Sequence, residues 1–488
     1  YMPRPRYLVL LATPILVVLT ASQVWANTYT AGFPVRASGP SPFAGCPTVA
    51  GSSTNYPNAE VEPFVAVNPT NRNNIVGVFQ QDRWTDAGAH GLVAASSFDG
   101  GSSWSTSFAA FSTCSGRPAS DGYDRASDPW VTFDTAGNVY QIALSISNDQ
   151  STSAVLVSKS VDGGAGWSPA ATLIRDTSGL HFNDKESITG DPTRSGYVYA
   201  VWDRGTFPSD NRNARSFLGS HAYRGQPMFS RTTDGGQTWS APVGLANQNI
   251  FTIGNQIAVL PDGTLVDVFQ NFQGSGVQPS PNHATESVML SSDAGLTWSQ
   301  PIDIALWSPE LTRDPDNGNP VRTGNGLPSI GVDTNSGTIF VTWEDGRFSP
   351  DGHADVALSK STDGGHKWST PVKVDQSPTG VQAFTPSIAV SADGTVAVTY
   401  YDFRFNTAAP GASTDVWFIH SHDGGATWTE SHVVPGSFDI ETAPVARGYF
   451  LGDYEGLAAV ANDFLAFFVM ANTGNTLNRT DVFSVRMS

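Results

Sequence analysis

Short segments that are apolar, or that alternate between apolar and polar residues, run through most of the chain. Residues 155–157 and 356–358 are two examples, and a stretch rich in Gly, Asp and Ser follows each of them. Such segments are typical of β-strands, and the intervening clusters are typical of tight turns. Almost nothing shows the period of an amphipathic helix. The pattern therefore predicts an all-β fold.

A motif of eight residues follows many of these segments. Each copy has a Ser or Thr, an Asp two residues later, then small residues and a final Trp. The Asp can accept hydrogen bonds from its own turn, glycines permit positive φ, and the Trp can pack on the sheet. We therefore predict that the motifs are structural hairpin corners. The six aspartates are spaced by 59 to 72 residues and are Asp99, Asp162, Asp234, Asp293, Asp363 and Asp423.

Pairs of apolar strands joined by a turn recur seven times, once more than the Asp motif. The spacing fits a four-stranded blade, so the repeat predicts one β-propeller domain over residues 27–488. The last unit ends after a third strand near residues 481–485. A propeller must pair its open edges, so we expect residues 28–36 to supply the missing strand. Seven blades are favoured over six.

The first residues have the parts of a secretory signal. Arg4 and Arg6 precede an apolar run over residues 7–19, and residues 24–26 form a small-residue cleavage site. The alternative, a membrane anchor, is disfavoured because the apolar run is about 13 residues long and a spanning helix needs roughly 20. We therefore expect residues 1–26 to be a signal peptide of a secreted, extracellular or periplasmic, protein.

Charge and cysteine content narrow the range of partners. The formal charge is -18, and removal of the two arginines of the signal makes it -20. Nucleic acid is an unfavourable partner for so acidic a chain, because phosphate binding needs clustered Lys and Arg. The two cysteines, Cys46 and Cys114, are interpreted as one disulfide, with two free thiols as the alternative. Neither cysteine has a metal-ligand spacing, and no cofactor is predicted.

Asp/Arg pairs beside aromatic residues recur at the ends of the predicted second strands. In a four-stranded blade these ends share one face, the funnel face, with the connections between blades, and the Asp motifs lie on the other face. Guanidinium groups bind carboxylates and aromatic rings stack on sugars, so the set suits an anionic glycan. In the alternative, each Arg only pairs with its neighbouring Asp. The candidate substrate-binding residues are Arg83, Arg204, Arg347, Arg404, Trp84 and Trp202.

Carboxylates also recur at the starts of the innermost strands. They can act as acid and base, can hold Ca²⁺, or can simply line a water-filled channel. The residues are Glu62, Asp128, Glu186, Asp453 and Glu455.

Six copies of a motif close to S-x-D-x-G-x-T-W resemble the Asp-box, or BNR-repeat, β-propellers of the sialidase superfamily, over nearly all of the chain after residue 26. Pro63, Arg83 and residues 85–88 match the context of the first sialidase blade, which implies that Asp86 is the acid/base residue. Tyr454 resembles the sialidase nucleophile, and Glu455 is the adjacent carboxylate that would deprotonate it.

The chain departs from the family pattern at the arginine triad that binds the sugar carboxylate. Glu62 stands in the segment where the first of these arginines is expected. Asn255 and Gln270 stand in the segments where a Glu and another Arg are expected. An acidic sugar would therefore need other cationic partners.

The resemblance implies a carbohydrate-active hydrolase, namely an exo-acting, sialidase-like glycosidase on a terminal acidic sugar. A polysaccharide lyase with His90, His181 or Tyr454 as its base is one alternative, and a non-catalytic glycan- or protein-binding propeller is another. For a catalytic site, we expect Asp86, Arg83, Arg347, Arg404 and Tyr454 to converge on one pocket of the funnel face.

Overall fold

The computed structural model describes residue 2 and residues 28–207, 224–246, 250–272 and 284–488. The predicted signal peptide, apart from residue 2, lies outside these residues. Most described strands form antiparallel groups of four, which we number as blades in chain order; a single pairing of Ala89 with Ala126 joins the first two groups into one sheet. The all-β propeller fold predicted from the sequence is confirmed. Within these described residues, three short 3₁₀ helices also occur, over Ala119–Asp121, Gly346–Phe348 and Ile440–Thr442.

The strands of the blades are bounded as follows. Blade 1 has Glu60–Val67, Ile75–Arg83, Ala89–Ser97 and Ser105–Ser107; blade 2 has Arg125–Phe133, Val139–Ile146, Ser153–Ser160 and Ala171–Asp176; blade 3 has His181–Gly190, Val198–Thr206, Arg224–Thr232 and Val243–Gly244; blade 4 has Thr252–Val259, Leu265–Phe272, Ala284–Ser291 and Ile302–Leu306. Blade 5 has Ser329–Val332, Ile339–Asp345, Asp355–Ser361 and Val372–Lys373; blade 6 has Ala383–Val390, Val396–Asp402, Ser413–Ser421 and Thr429–His432; blade 7 has Gly456–Val460, Asp463–Ala471, Thr480–Met487 and Val35–Arg36.

Four shorter strands form two pairs outside the blades, and a fifth extends blade 6. Val49–Ala50 pairs with Ser53–Thr54, Val321–Arg322 pairs in parallel with Tyr449–Phe450, and Phe438–Asp439 pairs with the third strand of blade 6. None of the helices in the described part of the chain is long and apolar enough to cross a membrane.

The chain closes its ring by pairing its two ends. Val35 lies opposite Ser484 and Arg36 lies opposite Phe483, and a further bridge joins Ala31 to Met487. The N-terminal segment therefore supplies the fourth strand of the last blade, which confirms the predicted pairing of residues 28–36 with the C-terminal strand. The edges that would otherwise remain open are satisfied in this way.

The Asp motifs lie between the third and fourth strands of blades 1 to 6. In the first of them, Asp99 Oδ1 accepts a hydrogen bond of 2.9 Å from the amide of Ser103 and one of 2.8 Å from Ser97 Oγ. The same amide contact, four residues along the chain, recurs in the other five motifs. The predicted role of these aspartates as turn acceptors is confirmed.

The innermost strands carry bulges that turn polar side chains toward the axis. Register shifts interrupt the pairing after Val61 in blade 1, Ser127 in blade 2 and Asp184 in blade 3. Glu62, Asp128 and Lys185, which lie within these bulges, have positive φ of 54°, 49° and 50°. Because non-glycine residues adopt this backbone at a cost, the surrounding contacts must hold them there.

The predicted disulfide is present. Cys46 and Cys114 are bonded, with their Cα atoms 5.9 Å apart. The bond ties the segment that precedes blade 1 to the connection between blades 1 and 2. Ser41 Oγ and the amide of Asn58, both in that preceding segment, donate to Asp82 at the end of the second strand of blade 1. The disulfide thus anchors a loop that covers the funnel face of blade 1.

Candidate functional site

The funnel face has one large open cavity of about 1720 Å³. Connections between blades, bulges of the innermost strands and ends of second strands form its wall, as the propeller topology predicts. Its charged lining residues include Arg83, Asp86, Asp128, Asp184, Lys185, Glu310, Arg322, Arg447 and Asp453. Apolar and aromatic residues such as Phe182, Phe272, Trp307 and Leu311 form another part of the wall.

Lys185 lies at the base of this cavity. Its Nζ is 2.6 Å from Asp453 Oδ2, 3.2 Å from Glu62 Oε1 and 3.4 Å from Asp128 Oδ1. Burial opposes its charge, yet Asp128 and Asp453 raise the pKa of Lys185 well above its ordinary value. Lys185 therefore stays protonated and joins the innermost strands of blades 1, 2 and 3 to the start of blade 7.

Arg322 reaches the same carboxylate from the connection between blades 4 and 5. Its Nε is 2.9 Å from Asp453 Oδ1 and its Nη2 is 2.6 Å from Oδ2, a bidentate pair. Burial opposes ionisation of Asp453, but Arg322 and Lys185 hold its pKa far below the ordinary value. The guanidinium also lies 4.2 Å from the centre of the Phe450 ring. The parallel pairing of Val321–Arg322 with Tyr449–Phe450 fixes this arrangement.

Two more guanidinium groups lie beside Arg322. Arg83 lies 5.1 Å from the centre of the same Phe450 ring, and burial, followed by repulsion from Arg322, lowers the pKa of Arg83 to about 10. Repulsion from Arg322 is also the main cause of the lowered pKa of Arg447, with burial next. Arg447 is exposed, and among the described residues its side chain forms no ion pair. Three arginines therefore crowd one wall of the cavity, and one of them is available to a ligand.

Asp86 lies on this cavity, as the sequence predicted, together with Arg83. Its Oδ1 is 2.6 Å from Nη1 of the buried Arg125, and its side chain is 37% exposed. Burial alone would raise the pKa of Asp86, but the hydrogen bonds from Ser53 and Arg125 outweigh burial and lower this pKa. The carboxylate is therefore ionised at neutral pH, so it cannot donate a proton in the resting structure.

Tyr454 does not line the large cavity. It lines an adjoining enclosed space of about 30 Å³ that shares Lys185 and Asp453 with the cavity. Its hydroxyl donates a 3.2 Å hydrogen bond to the carbonyl oxygen of Pro129. Burial, followed by the negative charge of Glu62, raises the pKa of Tyr454 well above its ordinary value. Attack by this hydroxyl would require that it leave the carbonyl and lose a strongly held proton.

Glu455 diverges from Tyr454. Burial raises the pKa of Glu455 to about 8, and the hydroxyls of Tyr401 and Thr399 in blade 6 oppose this shift. Tyr454 instead contacts Pro129 of blade 2. The two neighbours in sequence therefore do not form the predicted pair of nucleophile and base in this structure.

The other three candidate arginines pair with carboxylates near their own strand ends. Arg204 binds Asp176 with Nε–Oδ2 at 2.9 Å and Nη2–Oδ1 at 2.6 Å. Arg347 binds Asp345, and Arg404 binds Asp402 and Glu430. None of the three lines the large cavity in the described part of the chain. The predicted convergence of Arg347 and Arg404 with Asp86 is wrong, because local pairing satisfies these guanidinium groups first.

Both candidate tryptophans are core residues and not sugar-stacking platforms. Trp84 is 2% exposed and lies beneath the guanidinium of Arg125, whose carbon is 4.4 Å from the ring centre. Trp202 is fully buried and donates a 3.0 Å hydrogen bond from Nε1 to Asn183. The sequence placed them correctly near strand ends, but their rings turn into the spaces within and between blades.

The two histidines proposed as bases for a lyase are engaged away from the cavity wall. His90 lies 3.0 Å from Asp82 through Nδ1 and 2.9 Å from the carbonyl oxygen of Pro47 through Nε2. Nδ1 of His181 lies 3.2 Å from the hydroxyl of Thr206, and burial, followed by the charge of Arg204, lowers the pKa of His181. Neither histidine lines the large cavity among the described residues.

Sequence reasoning missed Arg322, Arg447, Lys185 and Asp184. The two arginines lie in connections between blades that carry no repeated motif, and Lys185 lies in a bulge where blades 1 and 2 have Glu62 and Asp128. The length of these connections is the one signal that could have directed attention to them, since long loops at a propeller face often carry function. In the described residues, no group of three His, Cys, Asp or Glu could hold a metal ion.

The fold and the cavity define a β-propeller with a charged site at one end of its ring. No family model matches the chain. A sialidase from Clostridium perfringens is 26% identical over 211 residues, which are 41% of this chain and 51% of that protein. The match thus spans about half the length of this curated relative.

Solved structures to which the chain is similar include a sialidase, an arabinofuranosidase and a trans-sialidase. A Hadza microbial sialidase has a TM-score of 0.47 and 14% identity and covers 84% of this chain and 73% of that chain. An α-L-arabinofuranosidase from Fusarium graminearum has a TM-score of 0.44 and 16% identity, over 78% of this chain and 96% of that one. A leech intramolecular trans-sialidase has a TM-score of 0.43 and 13% identity, over 89% and 68%.

Proposed function

We propose that the protein is a secreted glycoside hydrolase that removes a terminal acidic sugar from a glycan bound in the large funnel cavity. The observation that carries this proposal is the cluster of Arg83, Arg322 and Arg447 on one wall of the cavity. Burial and then repulsion from Arg322 lower the pKa of Arg83, and repulsion from Arg322 lowers the pKa of Arg447, so three cations lie close together on one wall. A bound carboxylate would relieve this repulsion.

The remaining lining suits a sugar. Phe182, Phe272 and Trp307 contribute apolar and aromatic surface, and carboxyl groups that include Asp86 and Glu310 line the same cavity. A binding site with a few polar groups set in apolar and aromatic surface is typical of small-molecule and carbohydrate recognition. Carboxyl groups of both kinds, ionised and protonated, are what glycoside hydrolysis needs.

Arg83 keeps its proposed role in sugar binding because it lines this cavity, and Asp86 lines the cavity as an ionised carboxylate that can serve as a base but not as the acid in the resting structure. Arg322 and Arg447 take the place of the family arginines that the sequence lacks. Secretion is supported by the disulfide, since such bonds persist in oxidising compartments.

The direct test is turnover by the purified protein of aryl sialosides, neutral aryl glycosides and uronate polysaccharides. We expect release of the aryl group from an acidic glycoside. Absorbance of an unsaturated sugar product would instead identify a lyase. Binding on a glycan array with no turnover would identify a non-catalytic propeller, and either result would overturn the proposal.

A matched pair of variants tests the role of the cavity. We expect Arg447→Ala to weaken apparent affinity for the acidic glycoside by about 10- to 100-fold, the usual value of a lost charged hydrogen bond. Arg72→Ala removes an exposed arginine from the opposite face and serves as the control. Equal affinities in the two variants would contradict the proposed site.

A further inference from the structure

A further arginine, Arg313, lines the large cavity in addition to the cluster of Arg83, Arg322 and Arg447. It lies in the connection between blades 4 and 5, in the same segment as Arg322. Arg313 is exposed, and within the described part of the chain its side chain forms no ion pair. Arg447 is exposed and free of ion pairs in the same way. The cavity therefore offers the charge of both guanidinium groups to a ligand.

Hydrogen bonds fix the position of Arg313 on the cavity wall. Its amide donates a 2.8 Å hydrogen bond to Gln382 Oε1, and Gln382 Nε2 donates a 2.7 Å hydrogen bond to its carbonyl oxygen. Gln382 immediately precedes the first strand of blade 6, so the connection is tied to that blade. Arg313 Nη1 also donates a 3.1 Å hydrogen bond to the carbonyl oxygen of Gly318. The guanidinium is thus held by a neutral acceptor and keeps its full charge.

Nearby carboxylates bind other partners and do not neutralise Arg313. Asp314 is 1% exposed, and its Oδ1 accepts a 2.9 Å hydrogen bond from the amide of Asp316. Asp351, which also lines the cavity, is paired with His353, with 2.6 Å between Oδ1 and Nδ1. An unpaired guanidinium can bind a carboxylate of a ligand through two parallel hydrogen bonds. Arg313 therefore suits an acidic group of the ligand.

Arg313 and Arg447 occupy separate positions along the wall. Arg313 lies opposite Pro320 in an antiparallel bridge, and the carbonyl oxygen of Pro320 accepts a 3.0 Å hydrogen bond from the amide of Tyr449. The segment that contains Arg447 and Tyr449 is therefore two strand spacings, about 10 Å, from the backbone of Arg313. Arg447 lies close enough to Arg322 for repulsion to lower its pKa, whereas Arg313 is tied to the turn of its own hairpin. Each guanidinium can accordingly bind its own carboxylate.

The size of the cavity favours a ligand longer than one sugar. Its volume of about 1720 Å³ exceeds the roughly 300–1,000 Å³ of a typical small-molecule site. Leu311, two residues before Arg313, also lines the cavity and is 64% exposed. Apolar surface beside a polar group that fixes orientation is typical of such sites. The cavity therefore has room for the several sugars that separate acidic groups require.

We propose that the ligand of the cavity is an acidic oligosaccharide that carries carboxylates on two of its sugars. Arg447 binds the carboxylate of the terminal sugar, and Arg313 binds the carboxylate of a sugar further along the chain. This inference rests on the proposed function and adds the class of its substrate. Arg313 is then a specificity-determining residue, because a ligand with a single acidic group cannot use both guanidinium groups at once.

The experiment compares ligands that have one and two acidic sugars. Calorimetric titration measures Kd for sialyl-lactose and disialyl-lactose, and for galacturonate and digalacturonate, so that sialic and uronic acids are both tested. We expect the ligand with two carboxylates to bind about 10- to 100-fold more tightly in one of these series, the usual value of an added charged hydrogen bond. Arg313→Ala should remove this preference, and Arg313→Lys, which keeps the charge, should retain part of it. Arg72→Ala, on the opposite face, should leave the preference unchanged.

Equal binding of both ligands within each series by the wild type would overturn the proposal, as would a preference that persists in Arg313→Ala. Absence of binding in both series would overturn it as well. Turnover assays separate this inference from the proposed function. If the protein hydrolyses no glycoside but shows a preference that depends on Arg313, the proposed hydrolysis fails while binding at two points stands. If it hydrolyses aryl sialosides and shows no such preference, the proposed function stands and this inference fails.

Discussion

The guanidinium of Arg322 and the carboxylate of Asp453 form a bidentate pair, with Nε–Oδ1 at 2.9 Å and Nη2–Oδ2 at 2.6 Å. Their side chains are 14% and 6% exposed, and Lys185 shares the same carboxylate. We expect Asp453→Asn to lower the free energy of unfolding by about 3–5 kcal/mol, because two cations lose a buried counter-charge. Urea unfolding measures this change.

The pair of Arg204 and Asp176 is the matched control. Its geometry is the same, with distances of 2.9 and 2.6 Å, but its side chains are 25% and 11% exposed and lie outside the cavity. We expect Asp176→Asn to cost no more than about 1 kcal/mol, as for other solvent-accessible pairs. If both variants lose a similar amount of unfolding free energy, burial beside Lys185 does not strengthen the pair of Arg322 and Asp453.

Tyr454→Phe distinguishes a nucleophilic hydroxyl from a structural one. The hydroxyl is bound to the carbonyl oxygen of Pro129, and burial raises its pKa. We therefore expect turnover to fall by less than about tenfold, with a stability loss of about 1 kcal/mol for the hydrogen bond. Steady-state kinetics on an aryl sialoside measures the first effect. Complete loss of turnover at unchanged stability would restore the nucleophile that the sequence suggests.

Stability should depend on pH through Glu455. Burial raises the pKa of Glu455 to about 8 in the folded protein, whereas its ordinary value is 4.5. The folded state therefore binds a proton that the unfolded state has released, and this contribution is complete below the ordinary pKa and is lost as pH rises toward about 8. We expect the unfolding free energy of the wild type to fall relative to Glu455→Gln by up to about 1.4 kcal/mol per pH unit across this window. A parallel pH dependence of the two proteins would contradict it.

The disulfide should contribute to the stability of the loop over blade 1. The bond closes a loop with a sequence separation of 68 residues, for which the chain-entropy model gives about 4 kcal/mol. We expect the double variant Cys46→Ala/Cys114→Ala to lose about 2–4 kcal/mol of unfolding free energy. Mass spectrometry of non-reduced peptides checks the linkage itself, and recovery of two alkylatable thiols from the native protein would exclude it.

The Asp motifs should affect stability without affecting the cavity. Asp363 Oδ1 accepts hydrogen bonds from the amide of Lys367 and from Ser361 Oγ, and the backbone contact is the main cause of its lowered pKa. We expect Asp363→Ala to lower Tm with unchanged turnover, and Asp363→Asn to lower Tm less, because its amide oxygen remains an acceptor. The lowered pKa also means that the Asp363 contribution disappears as pH falls through its folded value. A change in KM in either variant would contradict the separation of the two faces.

Features built from neighbouring residues were predictable from the sequence. The hydrogen bonds of Asp99 and its counterparts span four residues, so the motif alone specifies the turn. The pairing of Val35–Arg36 with the last blade followed from counting strands, since a ring with one strand missing can be closed only by the other end of the chain. Cys46 and Cys114 had no other cysteine to pair with.

The candidate site was predictable only where its side chains lack a local partner. The sequence suggested ligand binding by Arg204, Arg347 and Arg404. In the structure, each guanidinium instead pairs with a carboxylate at the end of its own strand or on a neighbouring strand. Among the described residues, Arg83 forms no such local ion pair, because it is buried against Phe450, next to Arg322. Local sequence cannot distinguish these cases, since each Arg follows its Asp at a similar spacing.

The sequence by itself determined the repeat, the strand pairs, the hairpin corners and the face of the ring on which loops gather, because these depend on periodicity and on contacts within a few residues. Only the tertiary structure decided which charges meet at the axis. Arg322 and Arg447 come together because two connections between blades pair in parallel, Val321 opposite Tyr449 and Arg322 opposite Phe450. Asp128 and Asp184 line the same cavity because bulges of adjacent innermost strands bring them to the funnel face, and this arrangement depends on how the blades pack around the ring and not on any local pattern.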